Sequence, residues 1–431
     1  MEIQATSTKN YKISLVVAIP VLLCLLISLT GLIGAAGLIY VVLSFICILL
    51  FPFEVILCIV PINIVYFTYS YINISIVAGW SNVDYINICN LIIVVRIIIE
   101  TFRKKRFIIK FSGIGFELYF VLIVMIYFSV LQSEISIKNF AYQVCMFFTV
   151  FYVLKLIRDD EEIGRSFTIQ FFIVLVSVYI YNFLQIWRYS TAHYYWVANR
   201  FVGVRDPNNF ALQSNICMLF VLRFLKTKLS TFKLYIILAI LSVSSIITLS
   251  VSGFGTTLAI LTYVLFTDKR SRLLKIIFST LTIIVFVMIL MGNIQINDSS
   301  VIGSIFKRIN TIIRALESGD YYSATTTRTV LWEKYINGFS KYSQLKQYTG
   351  SPTEMASIGQ NIGMSSHNNY IDILLNYGYF GLTIYLLAIV LHLAGNIKKK
   401  DYIFAFMNIL MVVNLFFRSL SGYISWIGLF I

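Results

Sequence analysis

Apolar residues in this chain come in long unbroken runs separated by short polar clusters, and nowhere alternate with polar ones at the period of a half-buried strand. A helix of about 20 residues crosses the hydrocarbon of a bilayer and satisfies its own backbone hydrogen bonds there. The pattern predicts spans near 12–29, 31–51, 53–70, 85–102, 114–131, 140–157, 167–187, 208–222, 234–250, 254–267, 276–292, 370–395 and 402–417. Within 31–70 only Phe51, Pro52, Phe53 and Glu54 mark a turn, and the run from Leu420 to Ile431 is short for a crossing. The fold class expected is therefore all-α: a polytopic integral membrane protein with about 12–14 transmembrane helices, one transmembrane domain over 1–431.

Composition strengthens this reading. Of 431 residues, 59% are hydrophobic and 12% charged, with mean hydropathy +0.84, whereas a soluble globule carries about 25% charged residues. The net charge of +15 does not imply a nucleic-acid partner. Basic residues in a polytopic chain mostly set orientation, because short Lys- and Arg-rich loops stay cytoplasmic. Counting alternate loops places 21 of the 34 Lys and Arg on the side of the N-terminus and 12 opposite, with Arg96 inside a span, so the N-terminus is expected in the cytoplasm. The six cysteines lie in or beside apolar runs, without CxxC or zinc-like spacing. No cleavable signal pattern precedes the first run, which is expected to be its own insertion signal.

Two loops on the outer side are long, about 188–207 and about 293–369, and long connections usually carry function. In the second, Val301, Ile305, Phe306, Ile309, Ile312, Ile313 and Leu316 recur at helical spacing. Such a helix fits the outer membrane surface or a packing face within the protein.

Three segments carry candidate chemistry. The first runs from Asn199 through Arg200, Gly203 and Arg205 to Asp206, Pro207 and Asn208. Asp206 suits an N-cap and Pro207 a first helical position, which would aim free N–H groups outward beside two guanidinium forks matched to phosphate oxygens. Lipid headgroups or loop carbonyls would satisfy the same arginines. In the second segment, hydroxyl-rich residues from Ser323 to Thr327 precede Arg328, Val330, Leu331, Trp332 and Tyr335, predicting a short helix with Arg328 in its first turn. A cation there opposes the helix dipole, so it needs a partner, either an anionic ligand or an ion pair with Glu333. The third segment, Gly363 to Gly381, predicts a helix capped by Ser365 or Ser366 with His367 in its first turn at the membrane boundary. A neighbouring helix N-terminus keeps an imidazole neutral, as a proton acceptor requires; an incidental loop histidine is the other reading. Gly378 and Gly381 are expected to permit close helix packing.

Taken in order, Arg200–Gly203–Pro207–Asn208 entering a helix, Arg328 with Trp332, and His367–Asn368 with Tyr370, Gly378 and Gly381 resemble the bacterial O-antigen polymerase and O-antigen ligase superfamily. The likeness rests on the second half of the chain. It implies a GT-C-like, metal-independent glycosyltransferase of the bacterial cytoplasmic membrane, acting at the outer face on a polyprenyl-diphosphate-linked oligosaccharide. By that resemblance His367 and Arg328 would be catalytic, and Arg200, Arg205, Asn208, Asn368 and Tyr370 would hold the diphosphate or glycan. No cofactor or metal is called for, and the outer loops lack an Asp-rich DxD motif, offering Asp206, Asp298 and Asp320 singly. A flippase and a chain-length regulator of the same route would be the protein partners. Two alternatives stand beside polymerisation: ligation of glycan to lipid A-core or protein, and transport, which usually needs ionisable or broken helices at the midplane.

Overall fold

The computed structural model describes residues 82–103, 156–188, 207–246, 250–268 and 328–416. It also describes isolated positions among 27–46, 145–154, 196–201 and 311–319, and Thr248. The described chain is overwhelmingly helical: α1 (Asn82–Arg103), α2 (Glu161–Arg188), α3 (Pro207–Phe220), α4 (Thr231–Ile246), α5 (Val251–Thr267), α6 (Arg328–Phe339), α7 (Gln344–Thr349), α8 (Pro352–Ile362), α9 (Asn369–Lys398) and α10 (Tyr402–Leu415). Five residues, Val221–Leu225, extend α3 as one wider, π-helical turn. One two-residue antiparallel ladder, β1 (Trp196–Val197) on β2 (Arg200–Phe201), sits between α2 and α3, where strand period was not expected. The predicted spans near 12–29, 31–51, 53–70, 114–131 and 276–292, the tail 420–431 and most of the surface helix 301–316 lie outside the described residues.

Local signals account for the helix ends. Pro207 opens α3, where its missing N–H costs nothing. Ser250 caps α5 by accepting from the Gly253 N–H, and Asp401 caps α10 by accepting from Phe404 N–H. Ser351 caps α8 ahead of Pro352, and Gly363 ends it in the left-handed conformation that needs no Cβ.

The chain divides into two compact units, Met1–Tyr181 with Asn337–Ile431, and Asn182–Ile336. In the second, α3 packs on α4 and α5 through small and polar residues. A Cβ on Gly253 would lie 2.4 Å from that of Ala211, so the two helices approach as closely as glycine allows. Inside this contact Asn215 donates to the Gly253 carbonyl at 2.9 Å and accepts from the Thr257 hydroxyl at 2.8 Å, with Ser245 Oγ 2.9 Å from the same hydroxyl. All three are buried. At one end, Asp268, also buried, accepts from Tyr235 and faces Lys226 at 3.6 Å.

In the first unit α10 packs on α9, and a polar chain joins them: Arg158 donates to Asn396 Oδ1 at 2.8 Å, and Asn396 donates to Asn408 Oδ1 at 2.7 Å. Among the described residues, α9 is the one helix long and apolar enough to cross a membrane; Ile88–Ile99, Phe210–Leu225, Thr231–Ile246, Ser252–Thr267 and Tyr402–Leu415 are shorter apolar helices.

Candidate functional site

The helix covering the span read near 370–395 is not continuous: α9 breaks at Gly378 (φ 65°, ψ −168°). Positions 16 apart on an unbroken helix lie about 24 Å apart along its axis, yet Asn369 Nδ2 donates to Tyr385 Oη at 2.9 Å. The two arms, 369–377 and 379–398, therefore double back on each other. Glycine is needed at the break for two reasons. Its φ lies in the region that side chains avoid, and a Cβ there would stand 2.3 Å from the Tyr348 carbonyl group. Gly350 (φ 79°) meets the arm from the other side, its own Cβ position 2.3 Å from the backbone of Asn376 and Tyr377. The Ser351 N–H then donates 2.8 Å to the Leu375 carbonyl, one of those a helix break orphans. Gly378 is thus the knuckle of a bend, beyond the close-packing role predicted for it.

The short arm starts at the His-Asn pair. Asn368, rather than Ser365 or Ser366, is the N-cap: its Oδ1 accepts from the N–H groups of Tyr370 and Ile371 at 2.9 and 3.2 Å. His367 therefore precedes the helix instead of sitting in its first turn, and its φ of 52° is left-handed. For a histidine that conformation costs on the order of 1–3 kcal/mol, and such outliers concentrate at functional sites. Ser366 holds the strained residue in place. It is fully buried, accepts from Asn368 N–H at 3.0 Å, and hydrogen-bonds the Asp372 carboxylate. The imidazole is partly exposed, with Ser365 Oγ 3.5 Å from Nδ1 and 3.4 Å from Nε2. A proton acceptor on a stiff mount, reachable from outside the fold, is what this arrangement can provide.

The other predicted residues are distributed as follows. Tyr370 donates its hydroxyl to the Val412 carbonyl at 2.9 Å and packs on Phe416 and Tyr385, so it ties the short arm to α10. His367, Asn368 and Tyr370 are together in the first unit. Arg328 is the first residue of α6, as predicted, and partly buried; Leu331, Tyr335 and Phe339 form that helix's buried stripe. Asn208 is in the first turn of α3, and Arg200 is in β2, opposite Val197. These three belong to the second unit. Arg205 and Asp206 lie outside the described residues. Among the described residues no three His, Cys, Asp or Glu side chains are grouped as a metal ion would need.

Sequence reasoning offered Ser366 only as a cap and gave Asp372 no role, so it missed the contact between them. Their separation of six residues fits neither a capping box nor a helical face, so only the left-handed turn at His367 brings the hydroxyl to the carboxylate. It also missed Gly350, whose partner Gly378 is far along the chain. No family model, curated protein or solved structure matches this chain.

Proposed function

We propose that this protein is a polytopic glycosyltransferase of the bacterial cytoplasmic membrane that polymerises surface polysaccharide, with about 12–14 spans and its N-terminus in the cytoplasm. It moves a growing glycan from polyprenyl diphosphate to a hydroxyl of the next lipid-linked unit. The observation that carries the reading is His367, mounted in a left-handed turn ahead of a capped half-helix by Ser366 and Asp372. In the reaction the acceptor hydroxyl attacks the anomeric carbon, the bond to the diphosphate oxygen breaks, and the imidazole takes the hydroxyl proton, a contribution typically worth about 10² to 10⁴ in rate. Lipid diphosphate leaves carrying negative charge, which the arginines Arg200, Arg205 and Arg328 would stabilise. The basic asymmetry of the loops and the resemblance in residue order support the outer face as the place of reaction.

The test is purified protein given a lipid-linked repeat unit, with and without a lipid A-core acceptor. The proposal expects a ladder of products in both arms. Transfer only when core is present would move the assignment to a ligase, and no transfer would remove it. In the same assay Arg328→Lys is expected to lose most of the activity, since the charge survives and the bidentate fork does not; wild-type ladders would remove diphosphate binding at that position.

A second reading, transport of the lipid-linked glycan, is favoured by the broken α9, because discontinuous helices carry the sites of many transporters. Movement of fluorescent lipid-linked units across vesicles without elongation would select it.

A further inference from the structure

The two arms of α9 have opposite surroundings. On the long arm the buried side carries His392 and Asn396 beside Tyr385, Ala388 and Ile389, while the exposed side presents Leu386, Leu387, Val390, Leu391 and Ile397. A helix in water has the reverse pattern, its polar residues outward; polar side chains turned into the protein and a bare aliphatic stripe outside belong to hydrocarbon. At its start, Tyr379 and Phe380 are exposed and packed on the likewise exposed Tyr348, with ring centroids 5.9 and 5.5 Å apart. Leu345, 73% exposed, lies one helical turn before Tyr348. Such a rim is suited to the headgroup boundary. At its end Lys398, Lys399 and Lys400 are exposed and complement anionic headgroups. Between rim and lysines the 379–398 arm is about 30 Å long, the thickness of bilayer hydrocarbon. The short arm has none of this: every side chain of 369–377 is buried or partly buried.

We propose that the lipid bilayer seats on the stripe from Tyr379 to Ile397 with its outer boundary at the Tyr348–Tyr379–Phe380 rim, and that 369–377 does not span but re-enters alongside. Asn369 is level with Tyr385, six residues past Tyr379, so the His367–Asn368 turn lies about 9 Å beneath the rim. This deepens the proposed function, since a lipid-linked donor would meet its proton acceptor within the outer leaflet rather than above it.

The test is a depth profile by spin-label accessibility to oxygen and to a nickel chelate, in phosphatidylethanolamine/phosphatidylglycerol vesicles. Labels go singly at 379, 383, 387, 390, 394 and 397 in a chain whose native cysteines are serine. The deepest positions are expected at 387–390, with 379 and 397 at the two boundaries. A deepest point at 383 with 379 inside hydrocarbon would mean that all of α9 spans, and would overturn the proposal. Should the cysteine-free chain not fold, hydroxyl-radical footprinting of the unmodified protein in nanodiscs of the same lipids decides. Leu386, Leu387, Val390 and Leu391 are expected to stay unoxidised while Leu345 at the rim and Tyr402 just past the lysines are modified. Oxidation of the stripe, or a stable dimer crosslinking through position 390, would take the stripe away from lipid. Neither readout needs turnover, so an inactive chain with this profile keeps the topology and loses only the polymerase.

Discussion

The contact of α3, α4 and α5 and the bend of α9 both bury polar side chains among apolar helices, with opposite outcomes. Around Asn215 the polar atoms close on one another: amide to carbonyl, hydroxyl to amide, hydroxyl beside hydroxyl, on backbone that is helical or conventionally capped. Around His367 the hydrogen bonds of Ser366, Asp372 and Asn368 maintain a left-handed histidine whose ring remains partly exposed. The first arrangement uses polarity to fasten helices; the second uses it to hold one residue in a conformation it would not choose. Buried polarity alone therefore does not mark a site. Polarity that holds strain does.

The sharpest way to break the contrast is at the knuckle. Gly378→Val forces a side chain into a positive φ, costing about 1–3 kcal/mol, and into the Tyr348 carbonyl, where overpacking adds about 1–3 kcal/mol. A fall of several degrees in the unfolding temperature is expected by scanning fluorimetry in detergent, and an unchanged midpoint would mean that α9 runs straight.

Next in size is His367. Replacement by Ala is expected to cost about 10² to 10⁴ in polymerisation rate, read as lipid-linked single units accumulating on a gel. Replacement by Gly should abolish polymer equally while raising stability by roughly 0.5–1 kcal/mol, because the left-handed penalty of about 1–2 kcal/mol disappears and the added chain entropy of glycine returns only part of it. A histidine whose removal lowers stability and leaves polymer intact would be structural, and the two regions would then be alike.

Smaller effects separate fastening from mounting. Asn215→Ala leaves a buried carbonyl and hydroxyl short of a partner, about 1–3 kcal/mol, with polymer length unchanged; lost polymer at full stability would place the α3–α5 contact in the chemistry. Asn368→Ala removes a cap worth about 1 kcal/mol, and Asn368→Asp should restore most of the stability because a carboxylate accepts the same two N–H groups. Equal losses in both variants would show that the amide nitrogen, not the cap, matters.

Much of this was legible along the chain. Helices near 85–102, 167–187, 208–222, 234–250, 254–267 and 402–417 stand within a few residues of α1, α2, α3, α4, α5 and α10, because apolar run length and capping residues are local properties. The helix opened by Arg328 and the helix start at Pro207 were readable for the same reason. The segment around His367 was visible as a segment, but its cap was misplaced by two or three residues, since Ser365, Ser366 and Asn368 all have side chains that cap well. Which of them does so depends on Asp372 drawing Ser366 away.

What the sequence by itself determined is the helical class, the boundaries of most described helices and the position of the His-Asn turn, all set by interactions among residues a few places apart. Only the tertiary structure decided that α9 folds back. A run of apolar residues through Gly378 is as compatible with a straight helix as with a bent one. The choice rests on Gly350 and Ser351, 28 and 27 positions earlier in the chain, whose backbone fills the space a Cβ would need and supplies the Leu375 carbonyl with a donor.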